Sequence, residues 1–221
     1  MIKIINNNYK NNKNNNKMSR HESTISNIST LNKEDIYTKL VVLGKSLVGK
    51  SALTFRFIND QFPKEHDTTI EDQYKTTANI DGYQVKLEIL DTAGQDDYQS
   101  MLETWISYGS GFLLVYSIDD MESFEEVKKK YDKLVLLKEK EIFSCIIVGN
   151  KCDLNDELRK VPKNMGEEFA ASKGVPFLES SALTTINVKE AFTKVVHDLM
   201  VKTTQKKNTG VFGKLCGCNL I

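Results

Sequence analysis

The chain has 221 residues, 40% of them hydrophobic, which is enough for one well-filled core and too little for two. Its 30 Lys and Arg balance 30 Asp and Glu, so the charge proposes no nucleic-acid partner. No apolar run approaches a bilayer span, residues 1–5 are too short for a signal-peptide core, and the 4 cysteines form no disulfide framework, so a cytosolic protein with reduced thiols is expected.

Residues 1–35 are rich in Asn, Ser and Thr and offer too little apolar surface to offset ordering entropy, so a disordered tail is expected there. Position 2 is Ile, which removes N-myristoylation. From residue 36 to 204, strand-like and helical segments alternate, the pattern of a mostly parallel sheet with helices on both faces. The apolar run Leu40, Val41, Val42, Leu43 leads into Gly44, Lys45, Ser46, Leu47, Val48, Gly49, Lys50 and Ser51, which fits G-x-x-x-x-G-K-[ST]. Its glycines let the backbone curl so that successive N–H groups face an anion, and the helix opening at Ala52 adds its positive end. Lys50 can then reach β- and γ-phosphates, and Ser51 offers a hydroxyl to Mg²⁺.

Residues 59–71 are polar and irregular. Runs 72–80 and 83–90 read as strands joined at Asp81-Gly82, a hairpin signal, and supply the one antiparallel pair. Asp91, Thr92, Ala93, Gly94 and Gln95 close the second of them. Continuous apolar runs at 112–116 and 145–148 read as strands buried on both faces. Between them Phe124, Val127, Tyr131, Leu134 and Val135 recur at helical spacing and are expected to be core. A short strand at 175–178 precedes a final amphipathic helix carrying Val188, Ala191, Phe192, Val195, Val196 and Leu199.

A phosphate loop alone fits adenylate kinases and ATPases equally well, so the base is read elsewhere. Asn150, Lys151, Cys152 and Asp153 follow a buried strand. The Asp153 carboxylate can accept from the N1–H and exocyclic amino group of guanine, whereas adenine presents an acceptor nitrogen there. Asn150 can tie neighbouring loops together, the Lys151 stem can lie over the base plane, and Ser180, Ser181 and Ala182 are placed to offer the Ala182 N–H to the guanine carbonyl.

In this order, the motifs resemble the small GTPases of the Ras superfamily, and within it the Ras subfamily, over about residues 36–204. The resemblance implies a P-loop NTPase G domain with a six-stranded, mostly parallel sheet containing one antiparallel strand, helices on both faces, GTP and GDP as substrate and product, and Mg²⁺. Phe62 would pack edge-on against the base. His66, Asp67, Thr68, Thr69, Ile70, Glu71, Asp72, Gln73 and Tyr74 look like the first switch and effector surface, and the segment from Asp91 through Gln95 to Tyr98 looks like the second. Thr69 would ligand Mg²⁺ and contact the γ-phosphate. Asp91 would hold Mg²⁺ through water, Gly94 would offer its N–H to the γ-phosphate, and Gln95 would orient the attacking water. The implied activity is slow GTP hydrolysis that times a signalling switch, with effector proteins, an exchange factor and a GTPase-activating protein as partners.

The chain departs from the usual Ras pattern at several positions. Ser46 and Leu47 stand where most relatives carry glycines; a side chain at Ser46 points toward the space shared by Gln95 and an incoming arginine, so slow hydrolysis and a weak response to activating proteins are expected. An alternative of a different class follows, a predominantly GTP-bound binding module controlled by exchange or localisation. His66 replaces a tyrosine and Thr68 a proline, changes expected to loosen the closed state. Leu183 replaces the usual lysine, and its stem can still pack near the base, so guanine selectivity is expected to hold.

Residues 205–221 are expected to be a flexible membrane-targeting tail. The end Cys218, Asn219, Leu220, Ile221 fits C-a-a-X, with a prenyl group on Cys218 and geranylgeranyl favoured by the terminal Ile. Cys216 is a candidate palmitoylation site, and Lys206, Lys207 and Lys214 form a small basic patch, which together point to the cytoplasmic face of the plasma membrane.

Overall fold

In the computed structural model the described residues are 36–63, 71–94, 101–139 and 141–215, with side chains described to residue 206. Strand β1 (Ile36–Leu43) lies at the centre of a six-stranded sheet of order β2-β3-β1-β4-β5-β6. It pairs in parallel with β3 (Tyr83–Thr92) on one side and β4 (Gly111–Ser117) on the other, with Leu40 opposite both Ile89 and Gly111. The strands β5 (Ser144–Asn150) and β6 (Phe177–Glu179) extend it in parallel, and only β2 (Glu71–Ile80) runs antiparallel, against β3. The hairpin between β2 and β3 turns on Asp81 at φ 53° and Gly82 at φ 86°, the two positive angles that a tight two-residue hairpin demands.

Side-chain alternation divides the core. Leu40 and Val42 face one layer with Leu113, Val115, Ile146 and Val148, against Leu53 of α1 (Lys50–Asn59) and Phe192, Val195 and Val196 of α5 (Val188–Leu215). Val41 and Leu43 face the other layer with Phe112, Leu114 and Ile147, against Ile106 of α2 (Leu102–Tyr108), Phe124, Val127 and Leu134 of α3 (Met121–Leu137) and Ala170 of α4 (Lys163–Lys173). β4 and β5 are buried along their whole length, as continuous apolar strands between two helical layers must be.

Two expectations need adjustment. Val135 is 40% exposed, so the apolar stripe of α3 narrows to Phe124, Val127, Tyr131 and Leu134. The last short strand begins at Phe177, because the Val175 N–H is spent on the Ala170 carbonyl at the end of α4. The α5 backbone is helical through Leu215.

The loops that follow β1, β3, β4, β5 and β6 leave the carboxyl edge of the sheet together. The chain departs to opposite sides of β1 through β3 and β4, the position at which open α/β sheets bind ligands.

Candidate functional site

The loop after β1 is shaped by contacts that exclude side chains. A Cβ on Gly44 would sit 2.1 Å from the Val115 carbonyl oxygen, and one on Gly49, where φ is 92°, would sit 2.4 Å from Nδ2 of Asn150. Leu47 holds a left-handed φ of 65° and is 88% exposed, so its side chain gains little packing in return for that strain. Gly49 precedes α1 without any side-chain cap, and the first turn has no acidic residue. The unsatisfied N–H groups and positive end of that helix therefore face the loop, ready for an anion.

Lys50 is buried and donates to the Lys45 carbonyl at 2.9 Å. Burial lowers its ammonium to about 8, with Asp91 opposing the shift. Asp91, at the end of β3, is fully buried, and neither carboxylate oxygen closes a hydrogen bond of ordinary geometry. Burial raises this carboxyl to about 6, against the pull of the Ser51 hydroxyl and the Lys50 charge. Buried carboxylate oxygens short of donors, beside a serine hydroxyl, suit a hard, oxygen-seeking cation such as Mg²⁺. The residues present therefore fit that ion. Thr92 donates through Oγ1 to the Val42 carbonyl at 2.7 Å, and the Ser46 N–H donates to the Gly94 carbonyl at 2.9 Å, so the end of β3 leans on the phosphate loop. A Cβ on Gly94 would meet the Lys45 carbonyl group within 2.4 Å.

On the other side Asn150, 1% exposed, ties three loops. Its Nδ2 donates to the Val48 carbonyl at 2.8 Å and its Oδ1 accepts from the Ser180 hydroxyl at 3.2 Å. The Cys152 N–H adds a bond to the Ser180 carbonyl at 3.0 Å. Lys151 takes a left-handed φ of 67° and its Nζ lies 3.8 Å from Asp119.

A cavity of about 600 Å³ joins these parts. Ser46, Leu47, Gly49, Lys50, Ser51 and Ala52 form its floor, Thr92, Ala93 and Gly94 one wall, and Phe62, Asn150, Lys151, Asp153, Ala182 and Leu183 the other end. Three residues that the sequence did not single out contribute. Leu154 lines the cavity, Asp119 pairs with Lys151, and Arg56 donates to the carbonyls of Ala182 at 2.8 Å and Leu183 at 2.9 Å. Arg56 thereby ties the 182–183 loop to α1, a partnership across 126 positions that no local pattern announces.

Of the expected effector surface, Glu71 to Tyr74 is described. Glu71 accepts from the Trp105 indole at 2.6 Å, and the Gln73 amide donates to Glu88 and to the Tyr108 hydroxyl, each at 2.6 Å. Tyr74 is half-buried against the first core layer. His66, Asp67, Thr68, Thr69, Ile70 and Gln95, with Cys216 and Cys218, lie outside the described residues.

A family model described as "Ras: Ras family" matches residues 39–201. Over 161 residues the chain is 46% identical to "Ras-like protein rasC" of Dictyostelium discoideum, covering 73% of this chain and 85% of that one. It is 44% identical over 158 residues to "Ras-related protein R-Ras" of Homo sapiens, covering 72% of each.

Proposed function

Because the chain belongs to the Ras family of small GTPases, GTP hydrolases that act as signalling switches, we propose that its cavity holds a guanine nucleotide with Mg²⁺ and that hydrolysis there is slow. The observation that carries this reading is one continuous cavity of about 600 Å³ lined both by the phosphate loop and by Asp153.

Asp153 accepts from the two guanine donors, which selects the base. Asn150 holds the loop bearing Asp153 against the phosphate loop through its bonds to Val48 and Ser180. The N–H groups around Gly49 and the uncapped start of α1 receive the β-phosphate. Lys50 leaves the Lys45 carbonyl for the β- and γ-phosphates, whose charge restores its full protonation. Ser51, Thr69 and, through water, Asp91 would hold Mg²⁺, which would neutralise phosphate charge when bound. Gln95 orients a water for in-line attack on the γ-phosphorus. A P–O bond forms to that water, whose protons pass to the released phosphate and to solvent, the bond to the bridging oxygen breaks, and GDP and phosphate leave. The chain's work is positioning and charge stabilisation, so an arginine from a partner would accelerate it by about 10³-fold to 10⁵-fold.

Effectors read residues 66–74 in the GTP state, and an exchange factor releases GDP. Prenylation at Cys218, with an acyl group at Cys216 and the nearby lysines, anchors the chain to a cytoplasmic membrane face. Among the described residues no helix is long and apolar enough to cross a membrane. Release of the full chain from membranes on Cys218→Ser would support this anchor, and unchanged association would refute it.

A second reading is favoured by Ser46, which lines the cavity and bonds Gly94: a GTP-loaded binding module that barely hydrolyses. Thermal unfolding with GDP or ADP tests the shared premise. A ligand at a hundredfold its Kd stabilises by about 2.7 kcal/mol, so GDP with Mg²⁺ should raise Tm and ADP should not. Equal protection by ADP would overturn the guanine assignment.

A further inference from the structure

Lys45 sits inside the phosphate-loop motif, yet its side chain does not line the cavity. Its Nζ instead pairs with Asp120 at 3.3 Å and with Glu122, both at the start of α3. Of those two, Asp120 is held in place and Glu122 is largely exposed. Asp120 caps α3 by accepting from the Glu122 N–H at 3.0 Å, and the buried Ser123 hydroxyl donates to the Asp120 carbonyl at 2.6 Å. They also stand at the positive end of α3, where carboxylates are favoured and a lone ammonium is not, so Lys45 depends on both.

Two halves of the loop are held differently. The second half is fixed by the Asn150 bond to the Val48 carbonyl and by entry into α1. The first half is more open: Leu47 is almost fully exposed, and the Ser46 N–H bond to Gly94 secures one side. Lys45 secures the other. Its own carbonyl accepts from Lys50 at 2.9 Å here, a bond that phosphates would take over, so with nucleotide bound the α3 carboxylates are what hold this part of the loop.

We propose that the ion pairs of Lys45 with Asp120 and Glu122 fasten the first half of the phosphate loop to α3, making Lys45 a positioning residue that slows nucleotide release. This rests on the guanine-nucleotide reading above. Opening of the loop must break these pairs before the phosphates can leave, and a partner that draws Lys45 away from α3 would hasten release by the same route.

The experiment is dissociation of ribose-labelled fluorescent GDP from the full chain, in Mg²⁺, chased by excess unlabelled GDP. Lys45→Met is expected to speed release by about threefold to fivefold, the scale of a partly exposed pair shared between two carboxylates. Asp120→Asn with Glu122→Gln should match it while keeping a capping side chain at 120, and all three changes together should be no faster than either set. Lys45→Arg should stay near the parent rate, and added salt should close the gap between the parent and Lys45→Met. Release at the parent rate from Lys45→Met, or effects that multiply when combined, would overturn the proposal. If Lys45→Met fails to fold, the Asp120→Asn, Glu122→Gln chain decides by the same rate. A parent chain that takes up no GDP would overturn the nucleotide reading itself and this fastening with it.

Discussion

Replacing Asn150 by Ala removes the one side chain that ties the phosphate loop, the 151–153 loop and the 180–182 loop together. Two buried hydrogen bonds are lost, to the Val48 carbonyl at 2.8 Å and from the Ser180 hydroxyl at 3.2 Å. Each is worth about 1 kcal/mol net, and Ser180, with no exposed surface, is left without that acceptor, so the total is about 2–4 kcal/mol. For a domain of this size the expected fall in Tm is about 5–15 °C, read by thermal unfolding of the nucleotide-free chain. Asn150→Asp sharpens the test. It keeps the acceptor for Ser180 but sets a carboxylate oxygen against the Val48 carbonyl, so it should destabilise at least as much as Ala. Ser180→Ala loses one bond only and should cost about 1 kcal/mol. An Asn150→Ala protein melting within about 2 °C of the parent would refute the reasoning, because a shift that small corresponds to less than one such bond.

Three further outcomes are expected. Asp153→Ala removes two charge-assisted acceptors and should weaken GDP binding by about 10²-fold to 10³-fold in equilibrium titration, with no gain in ADP binding. Trp105→Phe deletes the 2.6 Å bond to Glu71 and should lower stability by about 1–2 kcal/mol in denaturant unfolding, since a buried indole also loses contact area. Burial pushes the Cys145 thiol up to about 12, so in a chain carrying Cys216→Ser and Cys218→Ser, iodoacetamide at neutral pH should mark Cys152 and leave Cys145 unlabelled until denaturant is added.

Much of the fold was legible because its signals are local. The Asp81-Gly82 hairpin, the continuous apolar runs of β4 and β5 and the stripe of α5 each lie within a few residues of sequence, and each forms where expected. The cavity lining was legible for a different reason: glycine, lysine, asparagine and aspartate stand in short motifs at fixed spacing, and the carboxyl edge of the sheet brings those motifs together. What escaped has no local signature. Arg56 finds the 182–183 loop, Lys45 finds α3 and Trp105 finds Glu71 only once the sheet has brought distant segments together. Val135 kept the helical period but fell at its edge, where α3 turns toward solvent.

Single-turnover hydrolysis of GTP by the full chain with Mg²⁺, beside Gln95→Leu and Ser46→Gly, tests the central claim most directly. The account predicts slow conversion to GDP in the parent, none in Gln95→Leu and faster turnover in Ser46→Gly. A parent that converts GTP no differently from Gln95→Leu, with Ser46→Gly equally inert, would contradict it.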